Sequence, residues 1–482
     1  MPEEDTLNDE SVTVPPEGAA LARDLSRWQL LAITVGAVVG AGIYIRPAMV
    51  AQELREPGPI AVAWVLAGAL SLAGALSYAQ LARRWPHAGG EYVYLGHTIG
   101  EPAAFLFGWM RLTVGVAVAA LQATAVVVFL SDIVPMGGAW LQWSARVLGV
   151  MLSLTIGPRQ LIAVAVIANL AWLNCRGVGT AGRFQSVVTL LKVASLVSLI
   201  AVLMVFGHRS AAVPAAVVAD SATVFGWSAA LLGAMTAFGG WTNAAMLAGE
   251  SRDPERTVPW ALTWGMTIAA ACYLTANLAF LTVLPISAIA SGYSALHPNA
   301  PSVASLAVTA AVGHQGSAVL SAVLALSALG ALHVGLLSSP RVFFAMAKDR
   351  LLPAAFARLS SSTHAPSRAI LGYAAIASVL ATLGNFDQLS NMAGIGYMIF
   401  YALNVIGLLL LLARQRTAAV RSFHQVVRVL VAVVFLCGTS WLLVTSIARG
   451  GGEIVSALTL MAVGIPAYLL ARRHRRIEVG RL

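Results

Sequence analysis

The chain has 482 residues, 59% of them hydrophobic and only 10% charged. That exceeds what a soluble core needs, and repeated apolar runs of about 20 residues mark a polytopic helical membrane protein, not a β-barrel with its short alternating segments. The formal charge of +10 does not point to nucleic acid, because the basic residues gather in alternate loops, as the positive-inside rule requires.

Residues 1–22 are polar and acidic, carry Pro15-Pro16, and read as a disordered cytoplasmic tail. They lack the positive n-region and cleavage site of a signal peptide, so the first apolar run is expected to stay as a membrane helix. Twelve spans follow. The first three lie at about 28–53, 58–82 and 103–133. The fourth is interrupted at Gly157-Pro158-Arg159; the helix is assigned mainly to 160–174, with 140–157 partly re-entrant or interfacial. Next come spans at about 182–206, 224–249 and 258–284, and then a Pro-rich outer loop at 286–314 with short helical pieces. The last five lie at about 316–346, 368–384, 388–412, 424–447 and 453–471. Basic residues concentrate in the loops around Arg83, Arg176, Arg252, Lys348 and Arg414 and in the tail from Arg472, which puts both termini in the cytoplasm. Cys175, Cys272 and Cys437 are widely spaced, form no metal or disulfide pattern, and read as packing residues.

Gly36-Ala37-Val38-Val39-Gly40-Ala41-Gly42-Ile43-Tyr44 interrupts the first span. Each glycine costs about 1 kcal/mol against alanine in a helix, and in lipid every freed N–H and C=O must find a partner. Two readings of this stretch stand: close helix packing through small residues, or a helix opened to hold a ligand. A second interruption, Thr236-Ala237-Phe238-Gly239-Gly240-Trp241-Thr242-Asn243, opens the second set of five spans as the first opens the first set. Paired breaks in two halves favour the ligand-holding reading.

Five ordered motifs carry a family likeness. They are Gly36 to Tyr44; Tyr78-Ala79-Gln80-Leu81 with Pro86-His87-Ala88-Gly89-Gly90-Glu91-Tyr92-Val93-Tyr94; Asn174-Cys175-Arg176-Gly177-Val178; Gly239-Gly240-Trp241 through Glu250 to Pro259; and Ser339-Pro340-Arg341 through Ala345-Met346-Ala347-Lys348-Asp349. From about residue 25 to 415 the chain resembles the amino acid–polyamine–organocation (APC) permeases, close to the L-type and bacterial amino acid permeases; Gln80 departs from the family's usual Glu. The resemblance implies an all-α LeuT-type fold. Helices 1–5 would form one inverted repeat (23–210) and helices 6–10 a second (211–415), with helices 11–12 and a basic tail at 416–482.

Backbone N–H groups around Gly40, Ala41, Gly42 and Ile43, at the positive end of the following half-helix, would face a substrate carboxylate. Carbonyls near Val38, Thr236, Ala237 and Gly239 would take its ammonium. Phe238 and Trp241 are expected to line or gate the pocket, with helix packing the competing role for Trp241. Lys192, mid-span, is a buried ammonium, which is costly in hydrocarbon. The resemblance implies that it takes the place of a sodium ion and bridges the first break and the eighth helix; the alternatives are snorkelling or a fixed structural contact. His333 would join the Lys192 region, titrate, or pack with a hydrogen bond. Ser338 and Ser339 are hydroxyl candidates for the Lys192 partner. Glu250, Arg252 and Arg341 form either an inner gate or a topological element, and Glu91 and Tyr92 a structural part of the first inner loop.

The expectation is an inner-membrane secondary amino acid transporter for neutral L-amino acids, working by proton-coupled uptake or exchange. The alternatives are a cationic amino acid or polyamine permease, and a non-transporting sensor of the same fold. Expected partners are the amino acid, membrane lipid and protons. No cofactor, metal, enzyme motif or nucleic acid is expected. The loop 132–140 lacks a cysteine, so no disulfide-linked heavy subunit is expected either, and no oligomeric state follows from the sequence.

Overall fold

The structure is a computed structural model that describes residues 20–147, 150–207, 223–294, 296–297, 300–313, 316–383, 386–414, 423–449 and 452–479. The expected tail lies outside the described residues up to 19. The first span is a bent pair, α1 (Arg27–Val38) and α2 (Gly42–Leu54), with 41° between the two axes. Ser26 starts it with a capping box: its hydroxyl accepts the Gln29 N–H, and Gln29 Oε1 accepts the Ser26 N–H. Next come α3 (Pro57–Arg84), the short α4 (Glu91–Thr98) and α5 (Glu101–Met110). A π-helical turn, Arg111–Gly115, joins α5 to α6 (Val116–Ser131). After it stand α7 (Pro158–Cys175) and α8 (Val178–Phe206).

The second interruption separates α9 (Val224–Ala237) from the single turn α10 (Asn243–Met246). It leads to α11 (Pro254–Val283) and, in the expected loop, to α12 (Ile286–Ala290) and α13 (Val303–Val312). The chain ends with α14 (Gly316–Lys348), α15 (Ser367–Thr382), α16 (Phe386–Arg414), α17 (Phe423–Ala448) and α18 (Gly452–Val479). Proline in the first turn opens α3, α5, α7 and α11, where its missing N–H has no helical partner to lose.

Seven described helices are long and apolar enough to cross a bilayer, and the bent α1–α2 pair makes an eighth. Large apolar side chains such as Leu190, Val205, Val319 and Leu470 remain exposed, as lipid-facing residues do. The protein is therefore a polytopic helical membrane protein. The core has two clusters, one holding α1–α3, α9 and α11 and the other α5–α7, α14 and α15. α14 serves both, with Val334 and Leu337 in the first and Leu332 and Leu336 in the second.

The fourth span's helix is α7, close to the expected 160–174. The stretch before it, expected to be partly re-entrant or interfacial, is an antiparallel hairpin, β1 (Leu141–Val147) with β2 (Val150–Ile156). The reason is the residue order. Gln142, Ser144 and Arg146 alternate with apolar residues, as do Ser153 and Thr155, and the register sets Trp143 opposite Leu154 and Gln142 opposite Thr155. A period of two keeps one strand face apolar and cannot do so for a helix.

Candidate functional site

The two breaks interlock. An ideal Cβ on Gly42 would lie 3.0 Å from Ala237 Cα, and one on Gly240 would lie 2.8 Å from the Ala37 carbonyl oxygen. Each break thus sets a glycine against an alanine of the other, at a spacing a side chain could enter only by pushing its neighbour aside. Gly240 also has φ +102°, a conformation L side chains rarely adopt. At this crossing Ala41, Gly42, Thr236 and Gly239 keep some accessible surface amid buried neighbours. A Cβ on Gly40 would meet only Val38 O, at 3.6 Å. Gly40 is itself buried.

The freed backbone groups are partly satisfied. Ala41, Gly42 and Ile43 open α2, and their N–H groups find no backbone acceptor among the described residues. Val38 O and Ala237 O, both expected to take an ammonium, instead share one donor: Tyr273 Oη lies 2.6 Å from the first and 3.2 Å from the second. This phenol on α11 ties the two breaks together. Each carbonyl has a second lone pair, so a ligand is not excluded from either. The Gly239 N–H donates to Thr236 O at 3.2 Å. Thr236 Oγ donates to Gly233 O. Phe238 is buried and packs against Tyr273 at 4.8 Å and Trp64 at 6.1 Å between ring centres, and Trp241 packs on Tyr78 at 4.9 Å and Tyr401 at 5.4 Å.

Lys192 is 1% exposed, and its Nζ donates to Gly36 O at 2.7 Å. Gly36 lies one helical turn before Gly40, where α1 has already ended, so this carbonyl lacks its usual acceptor role in the ladder. The ammonium fills that role. Across from it stands Gly330 on α14, where a Cβ would come within 3.2 Å of Nζ. Lys192 is thus held between the first break and α14.

His333 is placed elsewhere. Its Nδ1 meets Gln185 Oε1 at 2.8 Å, Gln185 Nε2 donates to Thr189 Oγ1, and Thr189 donates to Ala32 O. The histidine therefore anchors α14 to α8 and α1 through amide and hydroxyl groups. Ser338 and Ser339 do not reach Lys192 either. Ser338 Oγ donates to Asn243 Oδ1 at 2.6 Å and to Val334 O, and Ser339 Oγ accepts from Arg111. Both lie more than two helical turns along α14 from Gly330, which is why Lys192 misses them.

Arg111, absent from the sequence expectations, lies in the π-helical turn and is 6% exposed. Its guanidinium donates to Ser339 Oγ at 2.5 Å, Tyr397 Oη at 3.0 Å and Asn243 Oδ1 at 3.4 Å. A π-turn displaces a side chain from the helical phase and recurs at functional sites. The signal for it was present, since it is a cation inside an apolar run, as Lys192 is. Tyr273 offered no such signal.

Contacts close both ends of the crossing. In the last turn of α2, Gln52 Nε2 donates to Ala290 O at 2.6 Å and Ser294 Oγ at 2.8 Å. Before α1, the Leu25 N–H donates to Glu250 O at 2.9 Å and the Arg252 N–H donates to Leu25 O at 3.1 Å. Behind that bridge Arg341 grips Glu250 with two bonds of 2.8 and 2.9 Å, both residues buried. The expected charge contact at the helix ends is therefore Glu250 with Arg341, while Arg252 contributes backbone.

A membrane span broken in its middle, crossed at the break by a second helix that ends in a glycine turn, fits the architecture of a broken-helix membrane transporter. The chain belongs to the amino acid permease family, whose model matches residues 25–466. It is 26% identical over 469 residues to the serine/threonine exchanger SteT of Bacillus subtilis (strain 168), covering 95% of this chain and 99% of that protein. It is 25% identical over 494 residues to the mouse (Mus musculus) large neutral amino acids transporter small subunit 2, covering 97% of this chain and 85% of that protein. The vacuolar cationic amino acid transporter 4 of Arabidopsis thaliana is 29% identical over 407 residues, 81% of this chain and 63% of that longer protein.

Proposed function

We propose that the protein is a secondary active transporter of neutral L-amino acids in the cell membrane. It works by alternating access, either as proton-coupled uptake or as exchange. The observation that carries this reading is the interlocked pair of breaks, with a buried Gly40 that has room for added atoms. On this reading the N–H groups of Gly40 to Ile43 hold the carboxylate. Carbonyls of Thr236 and Gly239, with the remaining lone pairs of Val38 and Ala237, hold the ammonium. Phe238 and Trp241 bound the side-chain space. A zwitterion brings its own opposed charges, so a backbone cradle suffices for it.

Membership of the amino acid permease family supports amino acids as the substrate class. The relatives bear names for neutral and for cationic substrates. Arg111, bonded to Asn243 just past the second break, argues for the neutral class, because its charge opposes a cationic side chain nearby. Lys192 already supplies a cation beside the first break, which disfavours a sodium ion there and leaves protons or exchange as the driving process.

The same reading counts twelve spans: α1–α2, α3, α5–α6, α7 and α8 as one repeat, α9–α10, α11, α14, α15 and α16 as its inverted counterpart, and α17 and α18 after them. Both termini face the cytoplasm. The Leu25–Ser251 bridge and the Glu250–Arg341 pair then form the inner closure, and Gln52 with the α12–α13 loop forms the outer one. No disulfide-linked heavy subunit is needed. The test is counterflow and uptake of a labelled amino acid panel in proteoliposomes, with and without an imposed pH gradient. Saturable movement of neutral amino acids is expected. Movement of arginine or polyamines alone would replace the neutral reading with the cationic one, and no movement of any amino acid would refute transport.

A further inference from the structure

Glu91 is the first residue of α4 and is fully buried. Tyr78 Oη on α3 donates to its Oε1 at 3.0 Å, while Oε2 has no partner among the described residues. Glu91 makes no ion pair there, although Arg111 is the nearest opposing charge that acts on it; the guanidinium spends its bonds on Tyr397, Asn243 and Ser339. The remaining titratable groups around it are phenols: Tyr94 on α4 itself and Tyr401 on α16. At the ends of α14 and α5, Asp349 is taken by Tyr92, and Glu101 by Arg475 and Tyr468. On α14, Arg341 is already paired with Glu250.

The carboxyl is also coupled mechanically to the second break. The Gly89 N–H donates to Met246 O at 3.0 Å, and a Cβ on Gly90 would lie 2.8 Å from the Met246 backbone nitrogen. α4 therefore begins flush against α10. Tyr78, which holds the carboxyl, also packs its ring on Trp241 inside the break. Any displacement of α10 or Trp241 must change the cover over Glu91.

We propose that Glu91 is a proton-carrying positioning residue of the transport cycle: it is protonated while α10 is seated on α4 and gives its proton to water when α10 withdraws. This rests on the transport reading above. The buried geometry sets the direction, since an unbonded carboxylate oxygen away from water is costly and a neutral acid is not. Burial pushes the carboxyl up to about 7, against the opposing pull of Arg111 and of the Tyr78 and Thr242 hydroxyls, the second of which stands in the second break itself. Water reaching the site would return it toward the ordinary carboxylate range.

The first experiment uses the purified full-length protein in lipid, without substrate. pH-difference infrared spectra should contain a protonated-carboxyl C=O band with a midpoint near neutrality, absent from Glu91→Gln. A band set that the substitution leaves unchanged would overturn the assignment. The second experiment is counterflow as a function of pH. For one group with a midpoint near 7, the protonated fraction falls about tenfold between pH 6 and 8. The wild-type rate should follow that change, and the Glu91→Gln rate should lose it. Transport with the same pH profile in both proteins overturns the role of Glu91 alone, whereas a wild type that moves no amino acid overturns the transport reading itself. If Glu91→Gln does not fold, Tyr78→Phe decides: removing the phenol that stabilises the carboxylate should raise the infrared midpoint, and an unmoved midpoint overturns the proposal.

Discussion

A methyl group added at Gly40 and one added at Gly42 should have opposite consequences, although the residues are two apart. At Gly42 the new carbon would sit 3.0 Å from Ala237 Cα and 3.2 Å from Ala237 Cβ, against backbone that Gly240 and Tyr273 already hold. Overpacking of that kind costs about 1–3 kcal/mol. The gain of alanine over glycine at a helix end offsets about 0.5–1 kcal/mol of it. Gly42→Ala should therefore lose about 1–2 kcal/mol of stability. At Gly40 the carbon would meet only Val38 O at 3.6 Å, and the residue is not in the left-handed region. Gly40→Ala should be as stable as the parent or about 0.4–1 kcal/mol more so. Its methyl, however, fills the opening assigned to the substrate carboxylate, and binding should weaken at least about tenfold, about 1.4 kcal/mol. The assay is thermal unfolding in detergent without substrate, paired with half-saturation in counterflow. A Gly40→Ala protein with unchanged half-saturation would refute the placement of the carboxylate. A Gly42→Ala protein as stable as the parent would refute the interlocked breaks.

Three further outcomes follow from named contacts. Tyr273→Phe removes the donor shared by Val38 O and Ala237 O and should cost about 1–3 kcal/mol through the buried carbonyls it abandons; an unchanged thermal midpoint with unchanged counterflow would mean the phenol does not tie the breaks. Glu250→Ala leaves Arg341 buried and unpaired and should cost about 3–5 kcal/mol, much of it recovered when Arg341→Met is added; a double variant no more stable than the single one counts against this. Glu91 carries a raised pKa, so its contribution to stability is full below about pH 4.5 and is lost as the pH rises to about 7. The change is about 3 kcal/mol, at 1.36 kcal/mol per unit. Glu91→Gln should therefore gain stability relative to the wild type between pH 5 and pH 8, and parallel thermal midpoints for the two proteins would show that Glu91 is not held neutral.

The breaks were legible because their signal is local. Three glycines in seven residues of an apolar run are unfavourable wherever the chain goes, and the same holds for Gly239-Gly240 and for a lysine at 192. Arg111 carried the same signal as Lys192, a cation inside an apolar run, but nothing in the run shows that it meets Ser339, Tyr397 and Asn243. The hairpin at 141–156 was hidden because its apolar content resembles a helix, and only its alternation distinguishes it. Ser338, Ser339 and His333 stand on one helix within seven residues, yet they meet three different partners, Asn243, Arg111 and Gln185. Helical phase and crossing angle decide which, and neither can be read from residue type.

The sequence by itself determined that this chain lives in a membrane and where its helices open, because both follow from the cost of a residue in its own neighbourhood; that Lys192 meets the first opening was implied by the family resemblance alone. Only the tertiary structure decided what the openings touch. Gly42 meets Ala237 and Gly240 meets Ala37 across some 200 residues of chain, Tyr273 bonds two of the carbonyls expected to face a ligand, and Glu91 is buried beneath the second break. Such pairings depend on how helices cross in space, and close packing allows only one answer once they do.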